Sequence, residues 1–353
     1  MPSQRLAVRI VNWQRLHGRN SLPWQNTRDP YRVWLSEIML QQTQVSTVID
    51  YYQRFLDRFP TVTDLAYADL DEVLSLWAGL GYYARARNLH ACAQAVVRDW
   101  HGAFPSSAAD LQTLPGIGAS TAAAIAAFCY GERSAILDGN VKRVLTRYFA
   151  IDADISQNAT TRMLWEIAQR EVPSLQHTER EPDAMARYAQ GLMDLGATVC
   201  VKSKPACSSC PLQAACAAFK LGEPARFPVK RQKKRDKRIE DIDLLWATAD
   251  GHVLLEKRPT SGVWGGLWCL PARADLTDLI DQINLGAPMP MASFAHELTH
   301  FRMVITPWRL SLASKLNELP TFGAELRWVP MTDLDRYGLP KPVRQLLADT
   351  GVR

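Results

Sequence analysis

The chain lacks any apolar run approaching the roughly 18 residues that a membrane-spanning helix requires, so no membrane span is expected. Its first residues, MPSQRLAVRIVNWQRL, also lack the continuous apolar stretch of a secretory signal and mix Arg and Gln with apolar residues. This pattern predicts an amphipathic helix, with an Arg-rich mitochondrial targeting helix as the alternative. Without an export signal we expect a cytoplasmic protein whose cysteines stay reduced, which disfavours a disulfide framework.

Internal repeats are absent, and 353 residues suit two domains rather than one. In residues 1–220 apolar residues recur three and four apart, as in VWLSEIMLQQTQVSTVIDYYQRFL, which predicts an all-α domain. Residues 221–240 contain Pro, Gly and a dense block of Lys and Arg, a composition typical of a linker. Residues 241–353 predict an α+β domain that begins with two strands around an Asp-Gly turn. The net charge of +5 permits an anionic partner without requiring one.

Cysteines are few, seven in all, yet four of them crowd into the segment CVKSKPACSSCPLQAAC. Four thiolates this close can hold tetrahedral zinc or an iron–sulfur cluster. Structural zinc usually takes two well-separated Cys-x-x-Cys pairs, whereas one short loop that carries every ligand suits a single cluster. The spacing therefore favours a cluster, with zinc as the alternative, and the predicted ligands are Cys200, Cys207, Cys210 and Cys216.

The segment LQTLPGIGASTAAAIAAF predicts a tight turn followed at once by an Ala-rich helix. Gly116 and Gly118 permit conformations and close approaches that a side chain would forbid, and a helix start presents free N–H groups suited to a phosphate. An ordinary corner between two helices is the alternative. The turn resembles the hairpin of helix-hairpin-helix proteins, which hold the DNA backbone without reading its sequence. That resemblance implies DNA contacts at Leu114, Gly116, Gly118 and Ser120.

Two carboxylates lie in apolar segments. Glu37, in VWLSEIML, lies either on the solvated face of a helix or partly buried with a raised pKa, and the residue taken alone favours the solvated face. Asp138, in SAILDGNVKRVL, precedes a basic amphipathic helix, where Asp commonly caps a helix or forms a turn. Neither residue by itself indicates catalysis.

The order of these features resembles the endonuclease III branch of the helix-hairpin-helix DNA glycosylases. Within that branch, the segments LPWQ, VWLSEIMLQQTQV, GLGYYARARNLH and ILDGNVKRVL resemble the MutY family of adenine glycosylases. The likeness spans nearly the whole chain. It implies an all-α helix-hairpin-helix glycosylase domain whose four-cysteine loop binds one [4Fe–4S] cluster, followed by a C-terminal α+β Nudix-like domain.

The resemblance also implies catalytic roles. Glu37 would protonate adenine at N7, and ionised Asp138 would stabilise the oxocarbenium-like sugar, the two-carboxylate logic of glycoside hydrolysis. Asn140 would help to orient this centre. Bifunctional relatives carry a Lys where this chain has Ser120, and Ser cannot form a Schiff base, so the sequence favours simple hydrolysis. Lys142 is close in sequence and permits minor adventitious trapping.

The target base must leave the DNA stack before it can react. By resemblance, Gln42 and Tyr82 match intercalating positions, although Tyr82 taken alone suits aromatic packing beside two glycines. Trp24 and Gln190 would line the adenine pocket. Some relatives place Arg at the position of Gln25 and Glu at the position of Gln190, so this pocket departs from their pattern.

The C-terminal segment GHVLLEKRPTSGVWGGLWCLP resembles the C-terminal domain of the MutY family, which is similar in fold to Nudix hydrolases. The following residues, ARADLTDLIDQINLG, lack the paired Glu residues that hold magnesium in a Nudix enzyme, so nucleotide hydrolysis is not expected. The implied role is recognition of 8-oxoguanine. Where relatives often have Phe-Ser-His, this chain has Leu298, Thr299 and His300, which keep the hydroxyl and the imidazole but lose the aromatic ring.

Together these implications describe a monomeric, monofunctional base-excision-repair enzyme. It would remove adenine opposite 8-oxoguanine or guanine from double-stranded DNA, in bacteria from nucleoid-associated DNA. One alternative is a bifunctional endonuclease III-like glycosylase and lyase acting on pyrimidines, which Ser120 and the extra domain disfavour. The other is a non-catalytic iron–sulfur DNA-binding sensor, which needs the cluster and hairpin but neither Glu37 nor Asp138.

Overall fold

The computed structural model describes residues 3–172, 183–231, 237–276, 287–298, 301–315 and 325–348. Its contacts divide the chain into two compact units. The first comprises Met1–Ala66 and Ala91–Lys233, and the second comprises Tyr67–His90 and Lys234–Arg353. Residues 67–90, which the sequence analysis placed in the helical domain, thus group with the C-terminal part. The bounds 1–220, 221–240 and 241–353 stay a prediction.

The chain before residue 231 is helical, and its described residues contain no β-strand. No helix in the described ranges is long and apolar enough to cross a membrane. A π-helical turn, Ala126–Tyr130, directly follows α8. The helices are α1 (Ser3–His17), α2 (Pro30–Leu40), α3 (Val45–Arg58), α4 (Val62–Tyr67), α5 (Leu70–Trp77), α6 (Ala84–Trp100), α7 (Ala108–Leu111), α8 (Ala119–Ile125), α9 (Gly139–Tyr148), α10 (Asn158–Arg170), α11 (Ala184–Thr198) and α12 (Ala217–Lys220).

The core of the first unit forms where α1, α9 and α11 pack together. The predicted amphipathic helix at the start of the chain is present, and it buries Leu6 and Ile10 completely. Gly191 lets α11 approach α1, because a Cβ built there would lie 2.7 Å from Cγ2 of Ile10. The burial of these apolar side chains stabilises the unit and fixes the position of Gln190 beside Gly191.

Helix α2 begins with a clear start signal. Asp29 caps it by accepting a hydrogen bond from the backbone N–H of Tyr31 at 2.9 Å, and Pro30 occupies the first turn, where its missing N–H costs nothing. The helix is buried around most of its circumference. Its buried residues are Tyr31, Val33, Trp34, Leu35, Ser36, Ile38 and Met39.

The second unit contains a mixed sheet and a closing helix, α13 (Lys341–Ala348). The sheet order is β3-β2-β1-β6-β4, with β5 paired to β6 and β7 paired to β2. Strands β1 and β6 run parallel, whereas β1 and β2 form the predicted hairpin around Asp250 and Gly251. Both turn residues have positive φ, 49° and 71°, as an Asp-Gly hairpin turn requires. The strands are β1 (Arg238–Ala249), β2 (His252–Lys257), β3 (Trp268–Cys269), β4 (Met289–Pro290), β5 (Phe294–Glu297), β6 (Phe301–Ser311) and β7 (Leu326–Pro330).

Candidate active site

Two cavities in the first unit share Trp24, Glu37 and Gln190 in their walls. The first has a volume of about 540 Å³. The second has a volume of about 790 Å³ and is also lined by Asp138 and Asn140. The fold therefore brings the three candidate catalytic residues, which are separated by about a hundred positions in the chain, to the wall of one cavity.

Glu37 lies in the wall of both cavities rather than on a solvated helix face. Its neighbours along α2 are buried, so its carboxyl group is largely removed from water. Burial, with a smaller contribution from the negative charge of Asp138, raises the pKa of Glu37 from 4.5 to about 7. A pKa near 7 is what a general acid that operates near neutrality requires.

Asp138 is the N-cap of α9, so the capping role that its local sequence indicates is observed. Its Oδ1 accepts a hydrogen bond from the backbone N–H of Val141 at 2.7 Å, and its Oδ2 accepts one from the Asn140 amide at 3.0 Å. These two donors fix the orientation of the carboxylate at the edge of the second cavity. A capping residue and a cavity-lining carboxylate are here the same group.

A chain of hydrogen bonds leads from Asp138 to the cysteine loop. Arg143 donates through Nη2 to Asn140 Oδ1 at 2.8 Å and to Gly196 O at 2.6 Å, and through Nε to Cys200 O at 2.7 Å. Gly196 allows this approach, since a Cβ built there would lie 2.6 Å from Cβ of Asn140. Asn140, which orients Asp138, is thus held by Arg143, and Arg143 is held in turn by the backbone of Cys200, the first predicted cluster ligand.

Gln190 and Gln25, both in the wall of the first cavity, differ in their hydrogen bonding. The Gln190 amide donates to Asp194 Oδ1 at 2.9 Å, and because that fully buried carboxylate also pairs with Arg19, Gln190 has a fixed orientation. Gln25, by contrast, has both amide atoms buried without a hydrogen-bond partner. Such an orphaned pair is costly in a folded protein and indicates a site for a ligand with complementary groups. Trp24, 6% exposed, closes the cavity and meets Tyr52 edge-on at 5.4 Å.

Two further candidates have strained backbones. Gln42 lines the second cavity with φ of 59°, and Tyr82, in the second unit, has φ of 50° and a side chain that is 52% exposed. Residues other than glycine rarely adopt positive φ, and such strain clusters at functional sites. Tyr82 does not pack into the interior, so the packing role that its sequence context indicated is not the one observed.

The predicted hairpin is present between α7 and α8. Leu114 and Ile117 are buried beneath it, and Gly116 has φ of 74°. Gly118, with an ordinary φ of −85°, is the N-cap of α8, and a Cβ built there would meet no described protein atom within 4 Å. Ser120 accepts a hydrogen bond from the backbone N–H of Leu137 at 3.0 Å and lines the second cavity.

The four cysteines of the loop line one small cavity of about 30 Å³. All four are free thiols, and no three Cys, His, Asp or Glu side chains within the described residues have the spacing of ligands to a single metal ion. Burial raises the pKa of Cys210 to about 11, so a cation bound there has to displace protons. Arg147, 2% exposed, organises the loop by donating to the carbonyl oxygens of Cys200, Val201 and Lys202 at 3.1, 2.7 and 3.1 Å and to Sγ of Cys200 at 3.2 Å.

In the second unit, Leu298 donates its backbone N–H to Phe301 O at 3.0 Å and accepts a hydrogen bond from Lys237 Nζ at 3.1 Å. Thr299 and His300, the other two predicted lesion-recognition residues, lie outside the described residues.

Sequence reasoning named Gln25 only as a departure from relatives, and it missed Arg143, Arg147 and the π-helical turn that brings Phe128 into the first cavity. A signal existed for the two arginines, because Asn140, Arg143 and Arg147 recur at three and four residues and so share one helix face. Nothing local marked Gln25, since its significance lies in the absence of a partner in the folded protein.

Comparison with known proteins agrees with this architecture. Residues 35–170 match the HhH-GPD superfamily base excision DNA repair proteins, and residues 244–349 match the NUDIX domain. The structure of a thermostable thymine-DNA glycosylase superposes with a TM-score of 0.54 at 28% identity, covering 62% of this chain and 98% of that one. A trapped endonuclease III–DNA covalent intermediate, at 18% identity and a TM-score of 0.51, shows the same fold. Fold and matches together define a DNA glycosylase of base excision repair.

The curated relatives narrow the family further. The adenine DNA glycosylase of Buchnera aphidicola subsp. Baizongia pistaciae is 36% identical over 351 residues, covering 96% of this chain and 94% of that protein. The adenine DNA glycosylase of Homo sapiens is 33% identical over 387 residues, covering 91% of this chain and 69% of that protein. The chain belongs to the adenine DNA glycosylase family, as its sequence resemblance predicted.

Proposed function

We propose that this enzyme is a monofunctional glycosylase that hydrolyses the bond between adenine and C1′ when adenine lies opposite 8-oxoguanine or guanine in double-stranded DNA. The observation that carries the proposal is the pair of carboxyl groups on one cavity, together with the burial that raises the pKa of Glu37 to about 7. A buried acid beside a hydrogen-bonded carboxylate is the arrangement that glycosidic bond cleavage needs.

In the proposed reaction, Glu37 donates its proton to N7 of the extruded adenine. The C1′–N9 bond then breaks, its electron pair leaves with the base, and Asp138 stabilises the cationic sugar that remains. Water adds to C1′ and gives its proton to the Glu37 carboxylate, which restores the acid. Asn140 holds Asp138 by donating to Oδ2. Ser120 offers no amine, so no Schiff base forms at its position and the DNA strand stays intact.

The Gln25 amide supports adenine as the base in the first cavity. With N7 engaged by Glu37, adenine still presents the N6 amine as donor and N1 as acceptor, and a carboxamide matches both groups. Trp24 would stack against the base, and Gln190, whose amide N–H is committed to Asp194, would present its oxygen.

The loop residues Cys200, Cys207, Cys210 and Cys216 would hold one [4Fe–4S] cluster, in keeping with four free thiols around a common cavity. When bound, the cluster would cross-link the loop and fix its shape. Arg147 donates to the Cys200 sulfur at 3.2 Å and so holds this side chain in place in the loop. Zinc is the alternative occupant, and the iron and sulfide content of the purified protein distinguishes the two.

We propose that the exposed turn with Leu114, Gly116, Gly118 and Ser120 contacts a DNA phosphate, and that Gln42 and Tyr82 enter the duplex as the base is extruded. Leu298, Thr299 and His300 would recognise 8-oxoguanine. The enzyme would act as a monomer, in the cytoplasm where bacterial chromosomal DNA lies. The domain bounds remain those proposed from the sequence.

The test measures base release from duplexes that carry adenine opposite 8-oxoguanine, guanine or thymine, with and without alkali. Strand breaks that need alkali, and that occur only opposite 8-oxoguanine or guanine, support the proposal. Breaks without alkali indicate a lyase. If protein with its iron content intact releases no base from any duplex, the proposal is wrong and the non-catalytic sensor is favoured.

A further inference from the structure

The segment Tyr67–His90 is joined to the C-terminal sheet through a partly buried contact, the anchor, within the second unit. Asp71, in the first turn of α5, accepts two hydrogen bonds on Oδ2, from Lys257 Nζ at 2.9 Å and from Trp268 Nε1 at 3.0 Å. Trp268 is fully buried in the core of the C-terminal sheet, and Lys257 also lies over its ring, 5.6 Å from the centroid. The contact is charge-assisted and partly buried, with side-chain exposures of 31% for Lys257 and 22% for Asp71, so it is stronger than a fully exposed ion pair.

Other contacts hold the same segment along its length. Gly338 lies directly against α5, since a Cβ built there would be 2.9 Å from Cβ of Leu74. Three side chains of the segment also donate to main-chain oxygens of the C-terminal part, so that helix, loop and sheet meet by specific hydrogen bonds. These are Ser75 to Asp335 O at 2.7 Å, Tyr83 to Leu339 O at 3.1 Å and Arg87 to Gly265 O at 2.5 Å.

Between these contacts lies the loop that carries Tyr82. Its Gly79 and Gly81 both have positive φ, 108° and 71°, and Tyr82 follows in the same strained region. Two hydrogen bonds from neighbouring residues of the segment hold this loop. Trp77 Nε1 donates to Gly81 O at 3.1 Å, and Arg85 Nη2 donates to the same oxygen at 3.1 Å. The Arg85 guanidinium also lies 5.7 Å from the centroid of the Tyr82 ring. Tyr82 is therefore an exposed ring on a rigid, pre-shaped loop.

We propose that Asp71 is a positioning residue through which the C-terminal domain sets the placement of Tyr82 on the DNA. The path runs from the core residue Trp268 to Asp71, along α5 to Trp77, and from Trp77 to the Gly81 carbonyl beside Tyr82. The inference rests on the proposed function, because it takes Tyr82 to enter the duplex. It goes further by assigning to the C-terminal domain a second task, support of a loop from the helical part of the chain, in addition to contact with the lesion.

A double-mutant cycle on the full-length protein tests this path. Asp71→Ala and Tyr82→Ala are made singly and together, and the single-turnover rate of adenine release opposite 8-oxoguanine is measured for each. If Asp71 acts through Tyr82, Asp71→Ala lowers the rate by roughly tenfold, and the double variant is within about twofold of Tyr82→Ala alone. A 2-aminopurine next to the 8-oxoguanine reports the same effect as reduced fluorescence, because the ring no longer unstacks the duplex.

Two control variants separate positioning from general stability. Glu240→Gln breaks an exposed ion pair with Arg238 on β1 and should leave both readouts unchanged. Asp71→Asn keeps an acceptor for Trp268 and should recover most of the lost rate. If Asp71→Ala does not fold, Lys257→Met takes its place in the cycle, because Lys257 is the partner of Asp71 on the sheet.

The inference is overturned if Asp71→Ala keeps the full rate. It is also overturned if the rate losses of Asp71→Ala and Tyr82→Ala multiply in the double variant. Either result leaves the glycosylase proposal intact. Absence of adenine release by the unmodified protein overturns the glycosylase proposal instead, before the cycle begins.

Discussion

Replacing Glu37 by Gln should abolish base release and, above neutral pH, make the protein more stable. Native Glu37 has a pKa of about 7 in place of 4.5, so its burial costs nothing extra below pH 4.5, where both the native and the unfolded states hold the proton. Between pH 4.5 and 7 the unfolded state gives up the proton while the native state keeps it, so the native state loses stability as the pH rises, and above 7 both states are ionised and the loss is complete. The stability lost over this window is about 3 kcal/mol. Gln has nearly the same shape and never ionises, so the variant avoids the loss.

The assay compares urea unfolding of the unmodified protein and the variant, without DNA, at pH 4.5 and pH 8.5. The difference in free energy of unfolding follows from the shift in midpoint when the slopes agree. The variant should gain about 3 kcal/mol relative to the unmodified protein between the two pH values. Glu166→Gln is the matched control, because the same chemical change is made at an exposed position of α10 in the same unit, and its gain should be close to zero.

The predicted pH dependence of base release also follows from the raised pKa of Glu37. If Glu37 is the proton donor, the single-turnover rate falls about tenfold for each pH unit above 7. With an ordinary pKa of 4.5, only about 0.3% of the molecules would hold the proton at pH 7, so burial raises the competent fraction by more than a hundredfold. A variant that gains no stability at pH 8.5, or a rate that is flat from pH 7 to pH 9, would refute the reasoning.

Three other substitutions test separate parts of the site. Ser120→Lys places an amine in the second cavity and removes the acceptor for the Leu137 N–H, so we expect a borohydride-trapped adduct, strand breaks without alkali and a stability loss of about 1 kcal/mol. Arg143→Met releases Asn140 and should slow base release by roughly tenfold with unchanged iron content, and Arg143→Lys should not restore the forked contact. Gln25→Leu should slow release of adenine by roughly tenfold and that of unsubstituted purine less; equal losses on both bases would contradict a role in reading the N6 amine.

Local patterns were sufficient for the elements whose cause is local. The Asp-Gly pair predicts a hairpin because both residues tolerate positive φ, and Asp250 and Gly251 adopt it. The apolar spacing at the start of the chain predicts α1, whose stripe is buried against α11. Four cysteines in one short loop predict a shared site because the loop is too short to separate them, and they line one cavity.

Contacts between distant parts of the chain could not be predicted this way. Arg143 meets Cys200 across 57 positions, and Asp71 meets Lys257 across 186. Asp71 does not differ in its local context from a solvated charge on a helix, which is the commoner role for Asp. Arg143 shares a helix face with Asn140, but no local pattern shows that this face meets Cys200. The raised pKa of Glu37 has the same character, because it depends on which helices surround α2 and not on the residues adjacent to Glu37.

Asp138 shows that a local structural role and a functional role of the same residue do not exclude each other. As a helix cap it needs an oxygen aimed at the N–H of Val141, and as a stabiliser of a cation it needs a carboxylate held at a fixed angle beside the cavity. The cap supplies that angle: one oxygen is committed to the backbone, the other accepts from Asn140, and both keep lone pairs free for the sugar. A helix N-terminus usually stabilises an anion, whereas burial within α2 raises the pKa of Glu37 to about 7. The difference between the two carboxyl groups thus follows from their positions: one caps a helix, and the other lies within a buried one.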